Sequence, residues 1–300
     1  MQIEFLKVFC DLIEARSFSK AAFRNSISQS AVSQQVRALE MHFGRKLIER
    51  GRRIIAPTEA GLKLYQGCRE ILEQYEALLE EMAELKGGVG GTLRVATIHS
   101  VGLHELPPLL KKFLQAYPDV NLKIEYSRMN KVYEDVLSGA ADLGIVAYPA
   151  PRPHIEIVPM RGDKLALICN PKHELAHRKR IALSDLQGER FISFEPDIPT
   201  RKAIDQILAR HGVSVRHVKQ FDNVEIIKRS VEAGQGISIV PRASVEMEVR
   251  AGTLRAIDFT RRLERSIGII YQKGKNLNAA ARKFIELLAS QNPRGRRSTR

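Results

Sequence analysis

Two histidines four residues apart, with a glutamate directly after the first, give His173-Glu174-Leu175-Ala176-His177 the most explicit chemistry in the chain. On a single α-helix that spacing sets two imidazoles one turn apart for a zinc ion, with the carboxylate as the general base of a peptidase. The surroundings argue against it, because Pro171 lies just before the motif and Arg178-Lys179-Arg180 just after it, and no amphipathic helix of adequate length encloses it. A surface turn is the expected structure, and a zinc peptidase acting through His173, Glu174 and His177 is the remote alternative. No GxSxG elbow supports a serine hydrolase. Gly234-Gln235-Gly236 falls at a helix-to-strand turn, and Gly87-Gly88-Val89-Gly90-Gly91 lacks the GK[ST] that completes a phosphate loop. The expectation is a protein that is not an enzyme and has neither a catalytic residue nor a metal or other cofactor.

Charge points to a different kind of partner. Across 300 residues, 48 Lys and Arg stand against 34 Asp and Glu, a formal +14, which favours an anionic polymer or an anionic membrane. No apolar run approaches the length that spans a bilayer, and the first eighteen residues mix acids with their apolar residues and do not resemble a secretory signal. Cys10, Cys68 and Cys169 are far apart in sequence, form no CxxC pair and sit in apolar surroundings, so they read as reduced core residues of a cytoplasmic protein.

The elements that would position a nucleic-acid contact are legible at the start of the chain. Ile3, Phe5, Leu6, Phe9, Leu12 and Ile13 mark the apolar face of a first helix. Ser17 and Ser19 suit the cap of a short second helix from Lys20 to about Asn25, and a polar break at Ser26-Ile27-Ser28 precedes a third helix from Gln29 to about His42. That third helix turns Ala31, Val32, Val36 and Leu39 inward and leaves Gln29, Ser30, Ser33, Gln34 and Arg37 on the other side. A polar, basic helix face behind a tight turn suits the DNA major groove, although a merely solvated face has the same composition. Gly44 ends the helix, and residues 47–50 and 53–56 flank a basic turn as a small hairpin, the expected wing.

From Thr58 to Lys86 one long helix is expected. Its residues Leu64, Cys68, Ile71, Tyr75, Leu78, Met82 and Leu85 are spaced by four and three, as in the seam of a two-helix coiled coil. The glycines at 87–91 read as a hinge. Beyond them strands and helices alternate to the C-terminus, the texture of an open α/β sheet in two lobes. The expected architecture is α/β overall, with a mostly α winged helix-turn-helix over residues 1–58, a dimerising linker helix and hinge over 59–91, and a two-lobed α/β domain over 92–292. The lobes would comprise 92–161 with 266–292, and 162–265. The basic segment 293–300 reads as a disordered tail.

Extended motifs make the chain resemble the LysR-type transcriptional regulators. They are Phe18-Ser19-Lys20-Ala21-Ala22, then residues 28–40 (SQSAVSQQVRALE), then Gly44 with Leu47-Ile48-Glu49-Arg50, then Pro57-Thr58-Glu59-Ala60-Gly61. The likeness continues at lower specificity through GAADLGI at 139–145 and AGQGISIVP at 233–241, and so covers all but the tail. The resemblance implies that Gln29, Ser30, Ser33, Gln34 and Arg37 enter the major groove of double-stranded promoter DNA, with Arg50, Arg52 and Arg53 of the wing against backbone or minor groove. It also implies a homodimer through the linker helix, assembling into a homotetramer, and RNA polymerase as a partner if the chain activates. Ser30 stands where the family often has proline and Gln34 where it often has arginine, so base preference does not carry over.

The same resemblance implies a C-terminal domain of the periplasmic-binding-protein type, with a small-molecule effector between its lobes. Thr97, His99 and Ser100 at the end of the first strand could hold a carboxylate or phosphate. Tyr148, Phe194, Thr200, Arg201 and Asn223 are the facing candidates, with Arg201 as charge partner of an anionic effector. Thr and Ser before a helix also serve simply as caps. A ligand-independent architectural DNA binder remains the rival reading.

Overall fold

The computed structural model describes residues 2–50, 55–84 and 88–291, and the chain divides into two compact units, 1–87 and 88–300. In the first unit, helix α1 (Ile3–Ala15) buries Leu6, Phe9, Leu12 and Ile13 and packs against α2 (Phe18–Arg24) and α3 (Gln29–Phe43). The Ser17 hydroxyl accepts from the amide of Lys20 to start α2, and the Ser28 hydroxyl accepts from that of Ala31 to start α3, so each cap satisfies an amide the helix cannot. Strand β1 (Ile48–Arg50) pairs antiparallel with β2 (Ile55–Pro57), Ile48 opposite Pro57 and Arg50 opposite Ile55. Arg52 and Arg53 lie outside the described residues, as does the side chain of Arg50.

Helix α4 (Glu59–Glu84) starts in tight register with this hairpin. The Thr58 hydroxyl donates to the Lys46 carbonyl at 2.7 Å and accepts from the Gly61 amide at 3.0 Å. A methyl group at Gly61 would sit 2.0 Å from the Leu47 carbonyl oxygen, so only glycine fits. The heptad seam expected along α4 splits in two. Leu64 and Cys68 pack with Tyr65 and Leu72 into the core built on α1, whereas Ile71, Tyr75, Leu78 and Met82 are 40 to 50% exposed. Leu85 falls outside the described residues.

The second unit opens with β3 (Gly91–Thr97), α5 (His99–His104), α6 (Pro107–Ala116), β4 (Val120–Tyr126), α7 (Met129–Leu137), β5 (Leu143–Ala147) and β6 (Ile155–Pro159). The chain then crosses into β7 (Asp163–Cys169), β8 (Arg180–Ile181), β9 (Arg190–Phe194), α8 (Pro199–Arg210), β10 (Arg216–Phe221) and α9 (Val224–Glu232). It continues through β11 (Ser238–Pro241), α10 (Glu246–Ala251), β12 (Arg255–Phe259) and β13 (Glu264–Arg265), then returns to the first lobe as β14 (Ile267–Gln272) and α11 (Ala279–Ser290). In the first sheet, ordered β4-β3-β5-β14-β6, β3 runs parallel to β4 and β5 while β14 runs antiparallel to β5 and β6. The second is ordered β11-β7-β12-β8 with β13 also on β7, and β9 pairs in parallel with β10 beside it.

Each lobe has its own core. Leu93, Val95, Phe113, Leu143, Ile269 and Phe284 fill the first, and Leu167, Ile192, Ile227, Ile239 and Leu254 the second. Where strands run parallel and are followed by helices, as β3 and β4 and the β9–β10 pair do, strand ends and helix N-termini gather at one edge, where such folds leave a crevice.

Candidate functional site

In the first unit, the caps that start α3 also orient its outer face. Val32, Val36 and Leu39 are buried, and Gln29, Ser30, Gln34 and Arg37 are exposed with Ser33 half-buried beside them. Ser19 on α2 donates to the Gln29 side chain at 3.3 Å, and Ser28 and Ser30 share a hydroxyl contact of 2.8 Å. The buried Glu40 accepts from the Leu47 amide at 3.0 Å and pairs with Lys46 at 3.3 Å, which fixes the start of the hairpin against the end of α3. The face therefore has one orientation relative to β1, and it presents amide, hydroxyl and guanidinium donors at helical spacing.

In the second unit a cavity of about 500 Å³ lies between the two lobes. The first residues of α5, α7, α8 and α9 line it, so the positive dipole ends of these helices border its interior. His99, Ser100, Phe194, Thr200 and Asn223 line the wall as expected from the sequence. Asn223 also caps α9, accepting from the Glu225 amide at 2.8 Å.

Three expected residues do not line it. Thr97 is fully buried and its hydroxyl donates to the Ile145 carbonyl at 3.1 Å, so it ties β3 to β5. Arg201 turns inward, pairing with Asp205 at 2.7 Å and donating to the Phe194 carbonyl at 2.9 Å, so it is no partner for a ligand in the cavity. Tyr148 sits in the left-handed region with φ +50°, its phenol buried away from the cavity wall, and burial pushes its pKa up.

Arg128 and Lys131, not anticipated from the sequence, supply cationic groups to the wall. Arg128 precedes α7 in the first lobe and reaches Asp222 at 2.6 Å and Glu195 at 3.2 Å in the second. Behind the wall, Arg265 is 1% exposed, pairs with Asp163 at 2.8 Å and donates to the Ser100 hydroxyl at 2.9 Å. Burial holds the Asp163 carboxyl above its usual range despite that partner. Because the Ser100 oxygen already accepts from Arg265, its own proton is free for an acceptor in the cavity. A further contact joins the lobes where His104 of α5 meets Glu225 of α9 at 2.9 Å.

The His173 to His177 segment is a surface turn. Residues Glu174–His177 form a 3₁₀ turn, in which positions three apart eclipse, so His173 and His177 do not stack on one face as they would in an α-helix. The His173 Nδ1 accepts from the Leu175 amide at 3.3 Å and its Nε2 lies 3.7 Å from Glu189. Among the described residues no three His, Cys, Asp or Glu side chains gather as a metal site, and no helix is long and apolar enough to cross a membrane.

Known proteins match both units. Residues 3–62 match the bacterial regulatory helix-turn-helix proteins of the lysR family, and residues 86–293 match the LysR substrate binding domain. The RuBisCO operon transcriptional regulator of Allochromatium vinosum is 30% identical, over 95% of each chain. The transcriptional activator CmpR of a Synechocystis species is 31% identical, over 94% of this chain and 93% of its own. The crystal structure of full-length CbnR complexed with its target DNA superposes with a TM-score of 0.69 at 26% identity, over 97% of this chain and all of CbnR.

Proposed function

The chain belongs to the LysR family of bacterial transcriptional regulators, and on that premise we propose that it reads promoter DNA with α3 and answers to a small anionic metabolite bound between its effector lobes. Gln29, Ser30, Ser33, Gln34 and Arg37 face the base edges, and Arg50, Arg52 and Arg53 lie against backbone or minor groove. The exposed stripe Ile71, Tyr75, Leu78 and Met82 on α4 pairs two subunits, and two such dimers form the tetramer that spans an extended site in the cytoplasm. RNA polymerase is the further partner where binding activates.

The cavity carries the effector reading. Helix N-termini converge on it, the Ser100 proton is free to donate, and Arg128 and Lys131, held by Asp222, Glu195 and Asp135, become available to an anion that displaces those carboxylates. The energy for regulation comes from a difference in effector affinity between two arrangements of the lobes, since an effector that binds both equally shifts nothing. The test is a thermal-shift screen of the full-length protein against small carboxylates and phosphates, followed by DNA footprinting with each hit. A ligand that raises the melting temperature and alters the footprint supports the reading. Identical footprints with and without a tightly bound ligand would overturn it.

A further inference from the structure

Two helices that border the cavity from opposite lobes are also tied to each other. His104 is the last residue of α5, whose His99 and Ser100 line the wall from the first lobe, and Glu225 stands in the first turn of α9, next to Asn223 and Val224 on the wall of the second. The His104 Nε2 lies 2.9 Å from the Glu225 Oε1, and the imidazole is 18% exposed. Glu225 is held in place from its own lobe. Its Oε2 accepts from the Lys228 ammonium at 2.8 Å, and its amide donates to the Asn223 side chain at 2.8 Å. Lys228 is 2% exposed and directs its other two protons to Glu248 at 2.9 Å and to the Ser244 carbonyl at 2.9 Å, so all three of its donors are engaged. Against the desolvation that raises it, Lys228 and then His104 hold the Glu225 carboxyl below its usual range, so an anion faces the imidazole throughout the neutral range.

Imidazole is the side chain that changes charge near neutrality. With one proton it offers Glu225 a neutral hydrogen bond, and with two a charge-assisted one about twice as strong. The other bridge described between the lobes, Arg128 to Asp222 and Glu195, is built from a guanidinium and carboxylates, groups that do not ordinarily titrate near neutrality. The further charges around His104 are Asp163 of β7, paired with Arg265 at 2.8 Å, and Glu105 beside it in the chain, which in turn feels Asp163, Arg265, Glu246 and Arg161. From this arrangement we propose that His104 and Glu225 form a proton-operated latch on the cleft: the doubly protonated imidazole fastens α5 to α9, and loss of its second proton at mildly alkaline pH frees one lobe to swing from the other. Where an effector closes the same cleft, which rests on the function proposed above, proton and effector reinforce each other by a common factor.

The test uses the full-length protein without effector, so its outcome is independent of that reading. Glu286→Cys on α11 of the first lobe and Arg250→Cys on α10 of the second carry nitroxide labels, both positions being exposed and the three native cysteines buried. Labelled chains are co-assembled with excess unlabelled chain, and pulsed electron paramagnetic resonance reads the distance between the two labels of one chain. At about pH 6 one distance should dominate, and at about pH 8.5 a second should appear, the ratio of the two shifting roughly fivefold or more. His104→Gln and Glu225→Gln should each abolish the pH dependence, with circular dichroism to show that the variants are folded. Glu105→Gln, which removes a neighbouring carboxyl pushed up to about 7, should keep it. A wild-type distance distribution that is the same at both pH values would overturn the proposal, as would a pH-dependent one that survives His104→Gln.

Discussion

Arg128 and Asp222 approach to 2.6 Å from opposite lobes, with Glu195 at 3.2 Å and Asp197 at 4.0 Å from the same guanidinium. One exposed cation on the first lobe thus faces three carboxylates on the second, and the Asp222 contact holds the guanidinium above its usual pKa. An anion entering the cavity competes with those carboxylates for Arg128, which turns an ion pair across the mouth into a contact that ligand occupancy can exchange. Arg128→Ala should leave melting temperature and DNA affinity unchanged, because the side chain is 60% exposed. It should weaken whichever anion stabilises the wild type by roughly tenfold or more. Calorimetric titration checks this, and an unchanged affinity would remove Arg128 from the binding wall.

Arg265→Ala should behave differently. The ion pair with Asp163 is 1% and 3% exposed, so truncation strands a buried carboxylate and costs about 3–5 kcal/mol in urea denaturation of the effector unit. Asp163→Asn on top of it should recover part of the loss. A cost of less than about 1 kcal/mol would mean that water reaches the pair.

The Glu105 carboxyl beside this pair is pushed up to about 7, first by burial and then by the Asp163 charge. Its folded-state pKa exceeds the unfolded one, so the stability it contributes is complete below about pH 4.5 and is lost as pH rises through 7. Glu105→Gln should remove that slope. A pKa unit corresponds to about 1.4 kcal/mol, and partial exposure discounts the full shift, so the variant should gain on the order of 1 kcal/mol over wild type at pH 8. Parallel stability-against-pH curves for the two proteins would contradict the assignment.

Gly61→Ala should destabilise the first unit by about 1–3 kcal/mol or more, because its methyl group meets a backbone carbonyl that cannot rotate away. Thermal unfolding of the variant measures it. A stability equal to wild type would show that β1 and α4 separate readily.

On the DNA side, Gln29→Ala and Arg37→Ala should each cost about 1–3 kcal/mol of discrimination between specific and random sequence. Arg52→Ala should instead weaken all sequences alike and lower the salt slope by about 0.9. Titrations at several salt concentrations separate the two behaviours.

What the sequence made legible follows from how local each signal is. Helix α3 announces itself through the Ser28 cap, the buried Val32, Val36 and Leu39, and Gly44, all within one element. Strand β10 gives no such signal, because Arg216-His217-Val218-Lys219-Gln220-Phe221 is an exposed strand with no apolar face to alternate. Helix α5 gives none either, because His99–His104 is short, and its Gly102 is fixed by a distant neighbour, the Tyr126 ring 2.5 Å from where a Cβ would lie.

The cleft residues divide along the same line. Strand and helix ends could be located, but whether Thr97 and Arg201 turn toward the cavity depends on Ile145, Asp205 and the Phe194 carbonyl, which belong to other elements or other turns. Arg128 carried no local signal, since its role arises only when the second lobe brings three carboxylates opposite it. The four-and-three spacing along α4 could not show that Leu64 and Cys68 pack against α1 in their own chain rather than facing another.

The clamp at Gly61 also fixes where α4 can bend. With its first turn locked to Leu47, the helix is a lever whose fulcrum is the wing itself. Its 26 residues span about 39 Å, so a tilt of roughly 5° at that fulcrum carries the far end through about 3 Å. Read backwards, a displacement of that size imposed at the far end is geared down to a few degrees at the hairpin. In the proposed dimer, the spacing between the two α3 helices is then easier to adjust than the angle of either one.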